Sequence, residues 1–317
     1  MKKITIFDTS VASENIGDFI IMDSVKRELY ELFNDGMFFH SLTHDKISTA
    51  SYRLNKISDY SFIGGTNLLS SNMNSYNQWK INLFDSMFLR NIVLMGVGWW
   101  QYQGRPNLYT KYLLKKVLHK DIIHSVRDSQ AENMLKEIGI KNVINTGCMT
   151  MWRLTKKHCS NIPKTKAKNV VFTLTDYNKN IQKDQELIDI LNSNYENIYF
   201  WPQGSGDLDY LKSFSNIENV KILGGNLFSY DALLESENLS LDYVGTRLHA
   251  GIRALQKSRR TIIIGIDNRA EEISKDFNLK VLSRKDIYKL EKVLQNDFIT
   301  DITINEENIN IWKKQFQ

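Results

Sequence analysis

The hydrophobic positions of this 317-residue chain fall into short continuous runs separated by turn residues and amphipathic stretches. In the first half the runs are Ile4–Phe7, Tyr60–Ile63, Ile92–Met95, Ile122–Val126 and Val143–Asn145. In the second half they are Val170–Leu174, Ile198–Trp201, Val220–Leu223, Leu241–Val244, Thr261–Ile264 and Lys280–Leu282. Helical periodicity occupies Phe19–Phe33, Gln130–Ile138, Gln185–Leu191, Ala250–Leu255, Arg269–Phe277 and Ile287–Leu294. Uninterrupted apolar strands alternating with amphipathic helices predict an α/β protein whose parallel sheets are covered on both faces.

The alternation breaks once, between Trp152 and Lys168, where Pro163 sits among Lys, Thr, Ser and Asn without an apolar period. The break predicts two doubly wound, Rossmann-like domains facing a cleft, residues 1–155 and 168–300. A C-terminal helix in 301–317, with Ile309, Ile311, Trp312 and Phe316 as its apolar face, is expected to return to the first domain. In such sheets ligands gather beyond the carboxyl ends of the strands.

Composition narrows the class. An aromatic content of 11% and a hydrophobic content of 42% fit a globular protein, and no window approaches the ~20 apolar residues of a membrane span. The run before Asp8 is too short for a signal-peptide core and reads as a first strand. Cys148 and Cys159 form no CxxC pair, so neither a disulfide framework nor a zinc site is expected, and the expected compartment is the reducing cytoplasm. A net charge of +5 does not call for nucleic acid. The cations do concentrate at Arg153, Lys156, Lys157, Lys164, Lys166 and Lys168. Such a block reads first as a solvated linker. Its second reading is peripheral contact with anionic headgroups on the inner face of the membrane, at ~1 kcal/mol per basic residue.

Three strand-to-helix turns carry candidate chemistry. In Val244-Gly245-Thr246-Arg247-Leu248-His249, Gly245 permits a tight turn, Thr246 can cap the following helix, and the free N–H groups form an anion pocket. Arg247 there opposes the helix dipole, which suggests an anionic partner. His249 can exchange protons near neutral pH, and Arg253 follows it at helical spacing. The bland alternative is a capped helix with a buried histidine. In Asn15-Ile16-Gly17-Asp18, Gly17 allows close backbone approach and Asp18 can cap, as in any strand–helix loop. In Ser125-Val126-Arg127-Asp128-Ser129, Asp128 or Ser129 fits a cap and leaves Arg127 at the lip of the sheet, again an ordinary arrangement by itself. Glycine tips at Gly64-Gly65-Thr66 and Gly96-Val97-Gly98, and aromatics at Trp99, Trp100, Tyr102 and Trp201, suit a sugar or a phosphate but also plain turns and core packing. No P-loop, GxSxG elbow, HExxH helix or GxGxxG fingerprint stands where its mechanism needs it.

Taken in order, these motifs resemble the polysaccharide pyruvyltransferase family. The resemblance rests on Asn15-Ile16-Gly17-Asp18, Gly64-Gly65, Val126-Arg127-Asp128-Ser129, Asp242 through Ala250, and Ile264 through Ile273, and it runs from about Thr5 to Leu282. It implies a fold like that of two-lobed glycosyltransferases (GT-B-like). It implies phosphoenolpyruvate as donor, a saccharide hydroxyl pair as acceptor, and no metal or organic cofactor. Residues matching Arg127 and Arg247 would hold the donor's phosphate and carboxylate, and the one matching His249 would act as acid or base. Asn15, Gly17, Gly65, Thr246 and Arg269 would line the site, with Asp18, and after it Asp128, as candidate acceptors of the hydroxyl proton. The basic run extends this expectation to a lipid-linked acceptor. Two other readings stay open: a glycosyltransferase using a nucleotide-activated sugar, and a non-catalytic saccharide-binding protein on the same scaffold.

Overall fold

In the computed structural model the chain is described from Met1 to Gln317, except for the side chains of Asn268 and Arg269. It divides into two units. The first comprises Met1–Ser13, Ile21–Trp152 and Ile304–Gln317, and the second Glu14–Ile20 and Arg153–Thr303.

The first unit alternates β1 (Lys3–Asp8), α1 (Ile16–Leu32, its opening turn grouped with the second unit), β2 (Met37–Leu42), α2 (Thr49–Ile57), β3 (Tyr60–Gly64), β4 (Ile92–Met95), α3 (Leu108–Val117), β5 (His124–Val126), α4 (Ser129–Glu137) and β6 (Val143–Asn145). Four strands form a parallel sheet in the order β2-β1-β3-β4, with Ile4 opposite Tyr60 and Ser61 opposite Ile92. The β5-β6 pair extends it, since Gly96 N donates to Ser125 O at 3.0 Å and Val97 bridges Val126. The resulting order, 2-1-3-4-5-6, is flavodoxin-like, and its switch point lies between β1 and β3. Strand β2 escapes the apolar-run reading because it is an edge strand, half exposed and interrupted by His40 and Ser41.

The second unit runs α5 (Lys156–Cys159), β7 (Asn169–Thr173), α6 (Ile181–Asn194), β8 (Asn197–Phe200), α7 (Asp207–Leu211), β9 (Val220–Ile222), α8 (Leu227–Leu234), β10 (Leu241–Gly245), α9 (Leu248–Gln256), β11 (Arg260–Gly265), α10 (Asn268–Phe277), β12 (Val281–Ser283) and α11 (Leu290–Gln295). Its six parallel strands are ordered β12-β11-β10-β7-β8-β9, the Rossmann order 3-2-1-4-5-6, with the switch point between β7 and β10. Two doubly wound α/β units are therefore present, as the alternation predicts.

Each unit has its own core. Phe7, Leu94, Val126 and Leu135 lie in the first, and Phe172, Phe200, Val244 and Ile262 in the second. Both Asn305 and Asp128 cap as their positions suggest, accepting from Asn308 N at 3.1 Å and Ala131 N at 2.8 Å. Asn305 opens α12 (Glu306–Lys314), which groups with the first unit. There Trp312 packs edge-on against Phe62 and Trp152, with ring centroids 5.9 and 5.7 Å away. Gln315 exchanges two hydrogen bonds with the backbone of Ile123, at 2.8 and 3.0 Å. The break at 152–168 is less bare than its composition suggests, because Thr155 caps α5 there. No helix among the described residues is long and apolar enough to cross a membrane.

Candidate active site

The switch point of the second unit is built by the ends of β7, β8 and β10. Strand β10 leaves the sheet at Gly245, where a Cβ would lie 2.4 Å from Thr173 Oγ1 and 2.7 Å from its nitrogen, so only glycine fits. The turn is then closed by a ring of three hydrogen bonds. Arg247 N donates to Thr173 Oγ1 (3.2 Å), Thr173 Oγ1 pairs with the Tyr243 hydroxyl (2.7 Å), and that hydroxyl donates to Arg247 O (2.7 Å). Burial pushes the Tyr243 phenol well above its usual range and keeps it a donor. Helix α9 starts at Leu248 with Arg247 in the cap position. Thr246 does not cap it, contrary to the sequence expectation; its hydroxyl pairs with Thr175 Oγ1 at 2.8 Å instead.

The Arg247 side chain is buried and heavily engaged. Its Nε donates to Asp207 Oδ2 at 2.9 Å and to Leu174 O at 3.2 Å, and its Nη2 bonds Asp207 Oδ1 and, at 2.9 Å, Asp176 Oδ1. The guanidinium lies 5.1 Å from the Tyr177 ring centroid and against Gly204, where a Cβ would come within 2.2 Å of Nη2. The anionic partner demanded by a cation at this helix end is thus supplied by the chain itself. Only Nη1 is left without a partner among the described residues.

Asp207 is fully buried. Burial pushes its carboxyl up, while the Arg247 fork and the N–H groups of Gly204 and Asp176 pull it down. Its oxygens also accept from Gln203 N at 3.1 Å, so every neighbour is a donor and a carboxyl proton would find no acceptor. The site therefore fits the ionised form.

The same loop holds the Asn15–Gly17 segment. Ile16 N donates to Gln203 O at 2.8 Å, Gln203 Nε2 to Asn15 Oδ1 at 2.8 Å, and Gly17 N to Asn15 Oδ1 at 3.0 Å. A Cβ on Gly17 would sit 2.7 Å from Gln203 Nε2. Asn15 makes the cap-like bond, and Asp18 lies buried in the first turn of α1. His249 is buried in the first turn of α9. Gln203 Oε1 is buried and unpartnered. Asn15, Gly17, Asp18, Thr246, Arg247 and His249 all belong to the second unit.

Arg127 and Gly65 belong to the first unit. Arg127 is buried beyond β5, and its Nε donates to Asp128 Oδ2 at 2.9 Å while its terminal nitrogens carry no partner among the described residues. Gly98 makes room for it, since a Cβ there would lie 2.3 Å from Nε. Gly65, at φ +60°, abuts Ile21, whose Cγ2 would be 1.9 Å from a Cβ. Packing alone accounts for that glycine. Beyond the ends of β1 and β3, Thr9 Oγ1 and Asn67 Oδ1 are buried and unpartnered. Arg269 lies outside the described side chains, and no group of three metal-binding side chains occurs among the described residues.

A family model for polysaccharide pyruvyl transferase matches residues 15–268. The chain belongs to that family. The matched segment opens at Asn15 and carries every member of the switch-point cluster through His249. No curated protein matches the chain. Among solved structures, S. aureus MnaA in its UDP co-structure aligns with TM-score 0.53 and 11% identity, over 94% of this chain and 89% of that one. UDP-GlcNAc 2-epimerase from Neisseria meningitidis, bound to UDP-GlcNAc, aligns with TM-score 0.47 and 12% identity, over 100% and 94%. At such identities the likeness to MnaA is one of fold.

Sequence reasoning missed Asp207, Asp176 and the orphan acceptor of Gln203. The signal for Asp207 was the run Gly204-Ser205-Gly206-Asp207 after a buried strand, a glycine turn closing on a capping residue.

Proposed function

We propose that this pyruvyl transferase moves the pyruvyl group of phosphoenolpyruvate onto a hydroxyl pair of a saccharide, forming a cyclic ketal in polysaccharide biosynthesis. The observation that carries the reading is Arg127, a buried guanidinium with both terminal nitrogens unpartnered among the described residues. An arginine left in that state fits a planar or tetrahedral anion through parallel bonds. Within the second unit, Arg247 chiefly positions the α9 turn that carries His249 and keeps Nη1 as a donor.

In the proposed reaction the methylene carbon of the donor takes a proton and the neighbouring carbon takes the first sugar oxygen. The second sugar oxygen then replaces phosphate at that carbon, and its proton leaves with the phosphate. His249 is the proposed acid toward the methylene carbon, and Asp18 the proposed acceptor of the first hydroxyl proton. Thr9 and Asn67 of the first unit offer unpartnered buried atoms that sugar hydroxyls satisfy. Trp201, which a nucleotide pocket would draw on, is buried and stacked on Tyr230 at 4.0 Å, and this weighs against a nucleotide-sugar donor.

Calorimetric titration with phosphoenolpyruvate, beside a panel of nucleotide sugars, tests the reading. Saturable phosphoenolpyruvate binding is expected. It should survive in His249→Ala, whose release of phosphate in the presence of acceptor should fall at least ~100-fold, the usual scale of acid–base catalysis. Binding of a nucleotide sugar with none of phosphoenolpyruvate would overturn it.

A further inference from the structure

We infer that the first unit carries a docking surface for an anionic lipid bilayer, formed by the Leu83–Phe88 segment and the cations around it. Three large apolar side chains stand in solvent there: Phe84 is 59% exposed, Met87 55% and Phe88 44%. They are contiguous, with Phe84 edge-on to Phe88 at 5.2 Å and Phe88 stacked on Tyr52 at 5.0 Å. Two depressions of about 590 and 380 Å³ flank them and share Met87, Arg90 and Asn91 as walls. Arg53, Lys56 and Arg90 line the first; Lys115, Lys116 and Lys120 line the second. All six cations are exposed, and none is ion-paired among the described residues.

Several surface cations elsewhere are, by contrast, already held by partners. Elsewhere Lys136, Lys183, Lys212 and Lys289 each sit on a carboxylate three or four residues away. Within the 153–168 run, Lys168 pairs with Glu196, and Lys166 bonds Asn194 O and covers the Tyr195 ring. The acidic groups near the patch are few. Asp59 lines the first depression and accepts from Lys3 N, Asp121 stands beside His119, and Asp85 is buried under the Tyr52 hydroxyl.

Apolar side chains exposed at the centre and unpaired cations at the rim match the two layers of an anionic leaflet, with acyl boundary for the first and phosphate plane for the second. A nucleic acid would use the cations and leave the apolar centre wet, and a protein partner would call for charge depletion at the centre rather than a ring of six cations. The bilayer is the one partner that uses both. The inference is independent of the pyruvyl-transfer reading, because its readout is partition and not turnover.

The test is sedimentation of the full chain with vesicles of phosphatidylglycerol and phosphatidylcholine, against phosphatidylcholine alone, at low and raised salt. Binding is expected to the anionic vesicles only and to weaken with salt. The variant Arg90→Gln/Lys116→Gln/Lys120→Gln should bind on the order of a hundredfold more weakly, from about fivefold per cation. Phe84→Ser/Met87→Ser should also lose binding, while Lys156→Gln/Lys157→Gln should keep it. No binding to anionic vesicles at low salt overturns the inference. So does unchanged binding in either patch variant, or tighter binding to duplex DNA than to the vesicles with Phe84→Ser/Met87→Ser unaffected.

Discussion

The Asp207–Arg247 pair sets up a test whose magnitude follows from its surroundings. In Asp207→Ala the guanidinium stays in place with Asp176, which is 28% exposed, and the Leu174 carbonyl. Removing one partner of a buried ion pair costs about 3–5 kcal/mol. Asp176 retains part of the compensation, which pulls the expected cost toward ~3 kcal/mol, while the orphaned N–H groups of Gln203 and Gly204 push it up. In Arg247→Met the carboxylate keeps three backbone donors, so the expected cost is only ~2 kcal/mol. The double variant strands neither charge. Its loss should fall short of the sum of the single losses by at least ~1 kcal/mol.

Because the chain has two units, a global melting curve would mix their transitions. Native-state hydrogen exchange read at Thr246 N, which donates to Thr173 O at 3.1 Å, isolates the second unit. An Asp207→Ala loss under ~1 kcal/mol at that amide, or strict additivity in the cycle, would refute the picture of a desolvated pair holding the turn.

Two other outcomes can be checked on the first unit. Burial depresses the His124 imidazole to about 4, against a small opposing pull from the His119 carbonyl, from an ordinary value of 6.5. The neutral ring takes Leu94 N on Nδ1 and bonds His119 O from Nε2. Its contribution is complete above the unfolded value and is lost as pH falls from about 6.5 to about 4, a total of ~3 kcal/mol. Denaturant unfolding at both ends of that window should show His124→Gln losing most of this slope, and an unchanged slope would contradict it. Gly98→Ala drives a Cβ into Arg127 Nε and should raise the donor dissociation constant about tenfold or more by calorimetry, with the fold retained. Unaltered donor affinity would remove Arg127 from the donor site.

What was legible in the sequence divides along a physical line. Strands such as β4 and β10 are buried on both faces, so their apolar runs announce themselves almost to the residue. Strand β2 sits at an edge and helix α3 opens on the 83% exposed Leu108, and neither leaves an apolar signature that period counting recovers. The turn after β10 was also legible, down to the unfavourable charge of Arg247 at a helix start. What local reading could not supply was the identity of the compensating anion. Asp207 lies 40 residues earlier in the chain and meets Arg247 only because β8 and β10 flank β7 in the sheet. A locally unbalanced charge points to a partner without saying whether that partner is a ligand or the protein.

That distinction ranks the two arginines by function. Arg247 spends Nε and Nη2 on carboxylates, and its burial against Gly204 fixes the turn from which α9 springs. Arg127 spends Nε alone, on the residue that caps α4, and the missing side chain of Gly98 leaves space for the fork. A lysine could replace neither, for different reasons. At 247 it would lack the planar pair of donors that Asp207 accepts, and the damage would appear as instability of the turn. At 127, on the proposed reading, it would surrender the bidentate geometry toward an anion, so the damage would appear chiefly in donor affinity. Two arginines that look equivalent as motif residues therefore separate once their hydrogen bonds are followed: one shapes the site, and the other is left with bonds to give.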